Sequence, residues 1–206
     1  DNPSWILPWA ERLVASAKEG GDLPRLARSW GEVGEGDICF ILGCTQLVPE
    51  EILKKNLKNL VVHESGLPEG RGFAPLSWQI LEGRKDIPVC LIEATASADA
   101  GPVVFRDVLH FKGHELCPEL RRAQGEMTVN LCLKYLESND VPEAVEQQGE
   151  GTVYPRRTPK DSCLDTDQSI AKQFNLLRIV DNDHYPAFFF AQGHRYKLTI
   201  EKMESE

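Results

Sequence analysis

Apolar positions along this chain of 206 residues change their period several times, and each change predicts an element. Over residues 3–18, Ile6, Leu7, Ala10, Leu13, Val14 and Ala17 recur at helical spacing, with Asn2 as N-cap, Pro3 just inside and Gly20-Gly21 as terminator. Residues 18–36 are rich in glycine and charge, and no apolar β-run precedes Asp37. The continuous apolar run over 37–42, ending at Gly43, predicts a parallel strand buried on both faces. Residues 49–58 predict a helix, with Glu50 and Glu51 at its positive end and Lys54, Lys55 and Lys58 at the other. Further strands are expected over 60–63, 89–94 and 103–111, with a helix over 73–81 closed by Gly83. The longest helix is expected over 114–137, where Leu116, Leu120, Ala123, Met127, Leu131, Leu133 and Leu136 form the apolar stripe. After a polar, acidic stretch over 138–152, a helix is expected over 165–180. A hairpin follows over 187–191 and 196–200, turning at Gln192-Gly193-His194.

Strands alternating with helices predict an α/β fold: a Rossmann-like, mostly parallel sheet with flanking helices and right-handed crossovers. A small C-terminal appendage carries the last helix and the hairpin. The expected division is a core over 1–137, a linker over 138–152 and the appendage over 153–206. Open sheets of this kind take ligands outside the carboxyl ends of their strands. Gly43-Cys44, His63 and Ala94-Thr95 are therefore expected to meet at one cleft.

His63 stands at such an end, in Leu-Val-Val-His-Glu-Ser-Gly-Leu-Pro over 60–68, and Asp99 follows in Ser-Ala-Asp-Ala-Gly over 97–101. A carboxylate that orients an imidazole and favours its charged form is a recurring acid–base device. The same pair also serves as a structural hydrogen bond in many proteins. The words around it decide between the two.

His63-Glu64-Ser65-Gly66-Leu67-Pro68 is followed by Gly70-Arg71-Gly72, Pro75, Trp78, Leu81-Glu82-Gly83 and Asp99-Ala100-Gly101. In order and spacing, this stretch from Gly36 to Gly113 resembles the folate-dependent formyltransferases, which include methionyl-tRNA formyltransferase and the sugar N-formyltransferases. A second block, from Tyr154 and Arg156-Arg157 through Asp161, Ile170, Phe174, Arg178 and Tyr185-Pro186, resembles the short C-terminal part of the sugar enzymes. The resemblance implies formyl transfer from N10-formyltetrahydrofolate, as co-substrate, to the primary amine of a nucleotide-linked amino sugar. His63 would steady the oxyanion and Asp99 would hold the imidazole and take the amine proton. Gly43, Cys44, Gln46 and Leu47, with Glu93, Thr95 and Ser97, would hold the folate pterin. Ser65, Gly66, Arg71 and Gly72 would border the amine, and Arg156 and Arg157 would meet a phosphate or sugar. Tyr154, Arg178 and Tyr185 are expected to pack the C-terminal segment.

The chain departs from the family pattern at two places. The family asparagine two residues before the histidine is Val61 here, on the strand face of His63. Valine donates no hydrogen bond; Gln46 or a backbone N–H near Cys44 would have to replace it, or the rate falls by about 10²–10³. The leading strands of the usual sheet are also expected to be missing or poorly formed. A degenerate binding relative is therefore the alternative reading, and a formyltetrahydrofolate hydrolase a lower-ranked third.

Composition narrows the field further. The hydrophobic share is 41% and the charged share 27%, ordinary for a globular chain. No apolar run is long enough for a membrane span and no signal peptide opens the chain, so the expected place is the cytoplasm, with no membrane partner. The net charge of −9 argues against nucleic acid, and the resemblance implies a chain too short for the larger C-terminal domain of a tRNA enzyme. The reading admits a homodimer without specifying one. Among the six cysteines (Cys39, Cys44, Cys90, Cys117, Cys132 and Cys163) no C-x-x-C occurs, and buried free thiols are expected. His110 and His114 stand four apart, but a strand-to-helix junction there disfavours zinc, and no metal is expected. P-loop, G-x-G-x-x-G and G-x-S-x-G patterns do not occur.

Overall fold

The computed structural model describes residues 5–203. A four-stranded sheet in the order β1-β2-β4-β5 carries the fold. Its strands are β1 (Gly36–Ile41), β2 (Asn56–His63), β4 (Asp86–Glu93) and β5 (Val103–His110). Helices α1 (Leu7–Glu19), α2 (Glu50–Leu53), α3 (Pro75–Leu81) and α4 (Cys117–Glu137) surround it. A two-residue strand β3 (Arg71–Gly72) pairs in parallel with β6 (Val153–Tyr154). The C-terminal part holds α5 (Phe174–Ile179) and the hairpin β7 (Ala187–Ala191) and β8 (His194–Leu198). The α/β class and the appendage of one helix and a hairpin agree with the sequence reading.

The connections correct that reading. β1 and β2 are parallel, but β2–β4 and β4–β5 are antiparallel. The third strand thus returns instead of making a second crossover. An apolar run states burial, and burial does not state direction. β1 is an edge strand and only half-buried, not the central strand expected. The helix expected over 49–58 is the single turn α2, because β2 starts four residues earlier than its apolar run and takes Asn56 to Asn59 into its pairing with β1. The helix over 165–180 shrinks to α5. Asp165 captures the backbone N–H of Asp167 and the Gln168 side chain, while its own N–H and C=O bind Gln173. Such local bonds compete with the helix ladder. The hairpin turn needs only Gln192 and Gly193, both at positive φ, so His194 already belongs to β8. The N-cap assigned to Asn2 and Pro3 lies outside the described residues; the helix itself starts at Leu7.

Strand alternation sorts the core into two faces. On one face, Ile87, Val89 and Leu109 pack against Leu76 and Ile80 of α3 and Leu120 and Leu131 of α4. Leu13 of α1 meets Val129 and Cys132 of α4 nearby, with Val62 packed against them. Ile80, Ile87 and Val89 have no exposed surface, and each such side chain contributes about 1.5–3 kcal/mol by burial. On the other face, Val61 packs against Leu67, Cys90, Ile92 and Val103. His63 shares that second face.

Of the thiols, Cys90, Cys117 and Cys132 are buried as expected. Cys44 and Cys163 are exposed and Cys39 is half-buried, because Cys44 leaves β1 into an open loop and Cys163 ends a 3₁₀ turn. His110 Nδ1 faces Asp86 at 2.7 Å, and His114 Nδ1 lies 3.0 Å from Lys202 Nζ.

Candidate active site

β2 ends at His63, and the chain then turns back so that residues 64–72 cover the second face of the sheet. His63 is 5% exposed. Its Nε2 lies 2.8 Å from the carbonyl oxygen of Gly70. A carbonyl oxygen only accepts, so Nε2 carries the hydrogen and donates it. Nδ1 is left facing Asp99 Oδ1 at 3.5 Å, which is longer than a good N–H···O bond. The ring is therefore fixed at one nitrogen and slack at the other. The slack nitrogen is the one free to exchange a proton or to turn a donor toward a substrate oxygen.

The carboxylate of Asp99 is held at its other oxygen. Its Oδ2 accepts the Gly72 N–H at 2.9 Å. Gly72 has φ 98°, and a Cβ there would overlap the carbonyl oxygen of Tyr154, the partner in the β3–β6 pair. Only glycine lets β3 approach so closely while offering its N–H to the carboxylate. Gly101 closes the Asp99 loop against the Glu93 carbonyl oxygen, where a Cβ would again overlap.

The convergence expected for three strand ends holds for two. Gly43 follows the end of β1 beside the end of β2, since Ile41 pairs with Val61. Glu93 pairs with Leu60, and the Ala94 N–H donates to Asn59 O at 2.7 Å. Ala94-Thr95 therefore leaves the sheet about 13 Å along β2 from His63. Antiparallel pairing is the cause, and the loop over 94–102 must double back to deliver Asp99.

The other sequence-named residues divide accordingly. Gly43, Cys44, Gln46 and Leu47 form an exposed loop in which Cys44 Sγ donates to Gln46 O at 3.2 Å. Glu93 pairs with Lys58, while Thr95 and Ser97 bond each other within their loop. Ser65 is 1% exposed, and its hydroxyl has no hydrogen-bond partner among the described residues. Gly66 rests on Pro88. Arg71 donates through Nε and Nη2 to Gln147 Oε1 at 3.2 and 2.6 Å. Arg156 lies 4.4 Å over the Phe73 ring and donates through Nη2 to Thr45 O at 3.1 Å, tying the C-terminal segment to the loop after β1. Arg157 turns inward: its Nη2 bonds Asp161 O, its Nε is buried with no partner among the described residues, and burial pulls its pKa down. Tyr154 stacks on Trp78 and donates to Glu82, and burial followed by that bond pushes its hydroxyl up to about 12. Tyr185, expected to pack, is 53% exposed.

Sequence reasoning passed over three side chains. Gln147, in the polar stretch after α4, bonds Arg71 and the backbone of the Asp99 loop. Thr152 accepts the Gly70 N–H at 2.8 Å and so steadies the carbonyl that holds His63. Glu64 turns to the helical side, where Gln124 Nε2 donates to it at 2.7 Å. Burial pushes its carboxyl up, with the neighbouring His63 and the Gln124 bond acting the other way. Glu64 lines a cavity of about 210 Å³ with Trp5, Ser77, Arg121 and Gln124. The only signal for Thr152 was its place two residues before Tyr154; Glu64 was named only within the words that follow His63, with no role, and Gln147 carried none.

This arrangement occurs on a fold found in formyltransferases. The chain superposes on methionyl-tRNA formyltransferase from Clostridium thermocellum with a TM-score of 0.78 and 23% identity, covering 98% of this chain and 91% of that one. For a sugar N-formyltransferase from a Shewanella species the values are 0.67, 13%, 100% and 96%. HypX from Aquifex aeolicus, solved with tetrahydrofolic acid, matches with a TM-score of 0.65 and 22% identity over 80% of this chain and 29% of that one. No protein-family model matches the chain. The chain therefore has the formyltransferase fold. Among the described residues, no helix is long and apolar enough to cross a membrane.

Proposed function

We propose that the protein is a cytoplasmic N-formyltransferase that moves a formyl group from N10-formyltetrahydrofolate to the primary amine of a nucleotide-linked amino sugar. The observation that carries the reading is the His63–Asp99 pair: an imidazole pinned at Nε2 and slack at Nδ1, facing a carboxylate held by a backbone N–H. The amine nitrogen attacks the formyl carbon, forming the new C–N bond, and negative charge gathers on the formyl oxygen. Nδ1–H of His63 donates to that oxygen, and Asp99 offsets the imidazolium charge. Asp99 takes the proton that the amine loses, directly or through a water. The bond from the formyl carbon to N10 then breaks and N10 takes up a proton, giving tetrahydrofolate and the formamide. The exposed backbone over 43–47 and the loop from Glu93 to Ser97 would hold the pterin. Ser65, Gly66, Arg71 and Gly72 would border the amine, with Arg156 the better placed of the two arginines to reach a phosphate because Arg157 is turned inward.

A second reading has Val61 behind it. Where an amide would help the oxyanion, Val61 offers only methyl groups packed on Leu67, Cys90, Ile92 and Val103. A binding protein without turnover would show this replacement. Tetrahydrofolate release decides between them, measured with a panel of amino-sugar nucleotides, an aminoacylated tRNA and no amine. Release that needs a sugar amine and falls by about 10²–10³ in His63→Ala supports the proposal. Release with tRNA alone reassigns the acceptor, release without amine makes water the acceptor, and no release in any arm leaves the binding reading.

A further inference from the structure

Gln147 spends every hydrogen-bonding group of its amide on two segments that meet at the candidate site. Its oxygen accepts two bonds from Arg71, at 3.2 and 2.6 Å. Its nitrogen donates to the carbonyl oxygens of Asp99 and Gly101, both at 2.8 Å. An amide has two donor hydrogens and two acceptor lone pairs, so this one is complete. The segment that carries it is anchored two residues earlier, where Val145 forms an antiparallel bridge with Val103.

The Asp99 loop has little else to hold it. Asp99 sits at φ 51°, a left-handed conformation that a non-glycine residue keeps only when its surroundings impose it. Residues 95–98 are exposed, and their bonds are made within the loop. The Gly72 N–H holds the carboxylate, while Gln147 holds the backbone on both sides of Ala100. Gly72 belongs to the same two-residue strand as Arg71. One amide thus fastens the loop bearing the carboxylate to the strand that binds that carboxylate.

We propose that Gln147 is a positioning residue that sets the approach of Asp99 to His63. The inference rests on the reading of these two as the reacting pair, but its consequence concerns their contact and needs no turnover. A plain structural role, fastening the stretch after α4 to Arg71, would leave that contact unchanged when the amide is lost.

The test is a double-mutant cycle read by NMR of the His63 imidazole nitrogens. The shift in the His63 titration midpoint caused by Asp99→Asn is measured in the wild-type background and again with Gln147→Met, which keeps length and removes every bond. The expected result is a shift that shrinks by about half or more in the Gln147→Met background. An equal shift in both backgrounds overturns the proposal. A second measurement stands on the wild-type protein should the variant fail to fold: the two Gln147 Nε2 protons are expected to exchange slowly with solvent. Exchange at the rate of a free amide overturns the proposal as well. Because neither readout uses formyl transfer, a protein inert toward every acceptor still returns a result for Gln147 while the proposed function alone fails.

Discussion

Two contacts between a carboxylate and a basic side chain in this molecule are both shielded from solvent, and they are built in opposite ways. Arg178, 2% exposed, meets Glu115 through its Nη2 at 3.2 Å and the Glu115 carbonyl through Nε at 3.1 Å, and gives Nη1 to Asn175 at 3.1 Å. Glu115 in turn accepts the N–H groups of Lys112 and Gly113. Every group is engaged, and the result is a clamp between the start of α4 and α5. His63 and Asp99 stand 3.5 Å apart, with one nitrogen of the ring bonded elsewhere. A fully bonded ion pair locks two segments together, whereas an imidazole left with an unbonded nitrogen keeps a proton site available. The difference separates structure from chemistry better than burial does, since both contacts are enclosed.

The comparison can be broken from either side. The largest effect is expected at the clamp: Arg178→Met takes the cation from the half-buried Glu115 and costs about 3 kcal/mol in denaturant unfolding, with activity per folded molecule retained. At the open pair, His63→Ala is expected to slow formyl transfer by about 10²–10³ while moving the unfolding midpoint little. Parallel kinetics and melting separate these two patterns, and a reversal of them would contradict the comparison.

The clamp also sets an acid limit. Burial works to raise the Glu115 pKa, but the N–H groups of Lys112 and Gly113, with its own backbone N–H, win and hold it at about 2 against the ordinary 4.5. A carboxyl lowered on folding stabilises above its unfolded value, and that stabilisation fades as pH falls through the folded one. The window is thus pH 4.5 down to about 2, worth on the order of 3 kcal/mol. Asp181, lowered by its bond from Arg121 and the N–H groups of His184 and Asp183 against the cost of burial, acts in the same direction. Unfolding free energy measured against pH is expected to fall across this window, and Glu115→Gln is expected to flatten the slope. The smallest effect sharpens the open pair: Val61→Asn supplies an amide beside His63 and is expected to raise the transfer rate by about 10- to 100-fold. An unchanged rate would show that another donor already serves the oxyanion.

Much of this was legible in the chain. The apolar runs located β4 and β5, helical spacing located α3 and α4, and the matched words around His63 and Asp99 anticipated a pair that the fold brings face to face. Direction was not legible: the apolar residues of β4 look alike whether the strand crosses over or returns. Nor was the first half of β2, whose Asn-Leu-Lys-Asn reads as the end of a helix until β1 is there to pair with it. Gln147 was hidden for a different reason. In a polar stretch one glutamine resembles any other, and its four bonds appear only when Arg71, Asp99 and Gly101 have been brought together from two other parts of the chain. Arg157 shows the converse, since a paired arginine motif does not state that one member points inward.

The most direct measurement is calorimetric titration with a formyl-folate analogue that cannot release its formyl group, on wild type and on Asp99→Ala. The proposed function predicts micromolar binding by wild type and its loss in the variant, because it places the folate against the loop that carries Asp99. Absence of binding by the wild-type protein, or equal binding by both, would contradict the assignment of the His63–Asp99 site to formyl transfer.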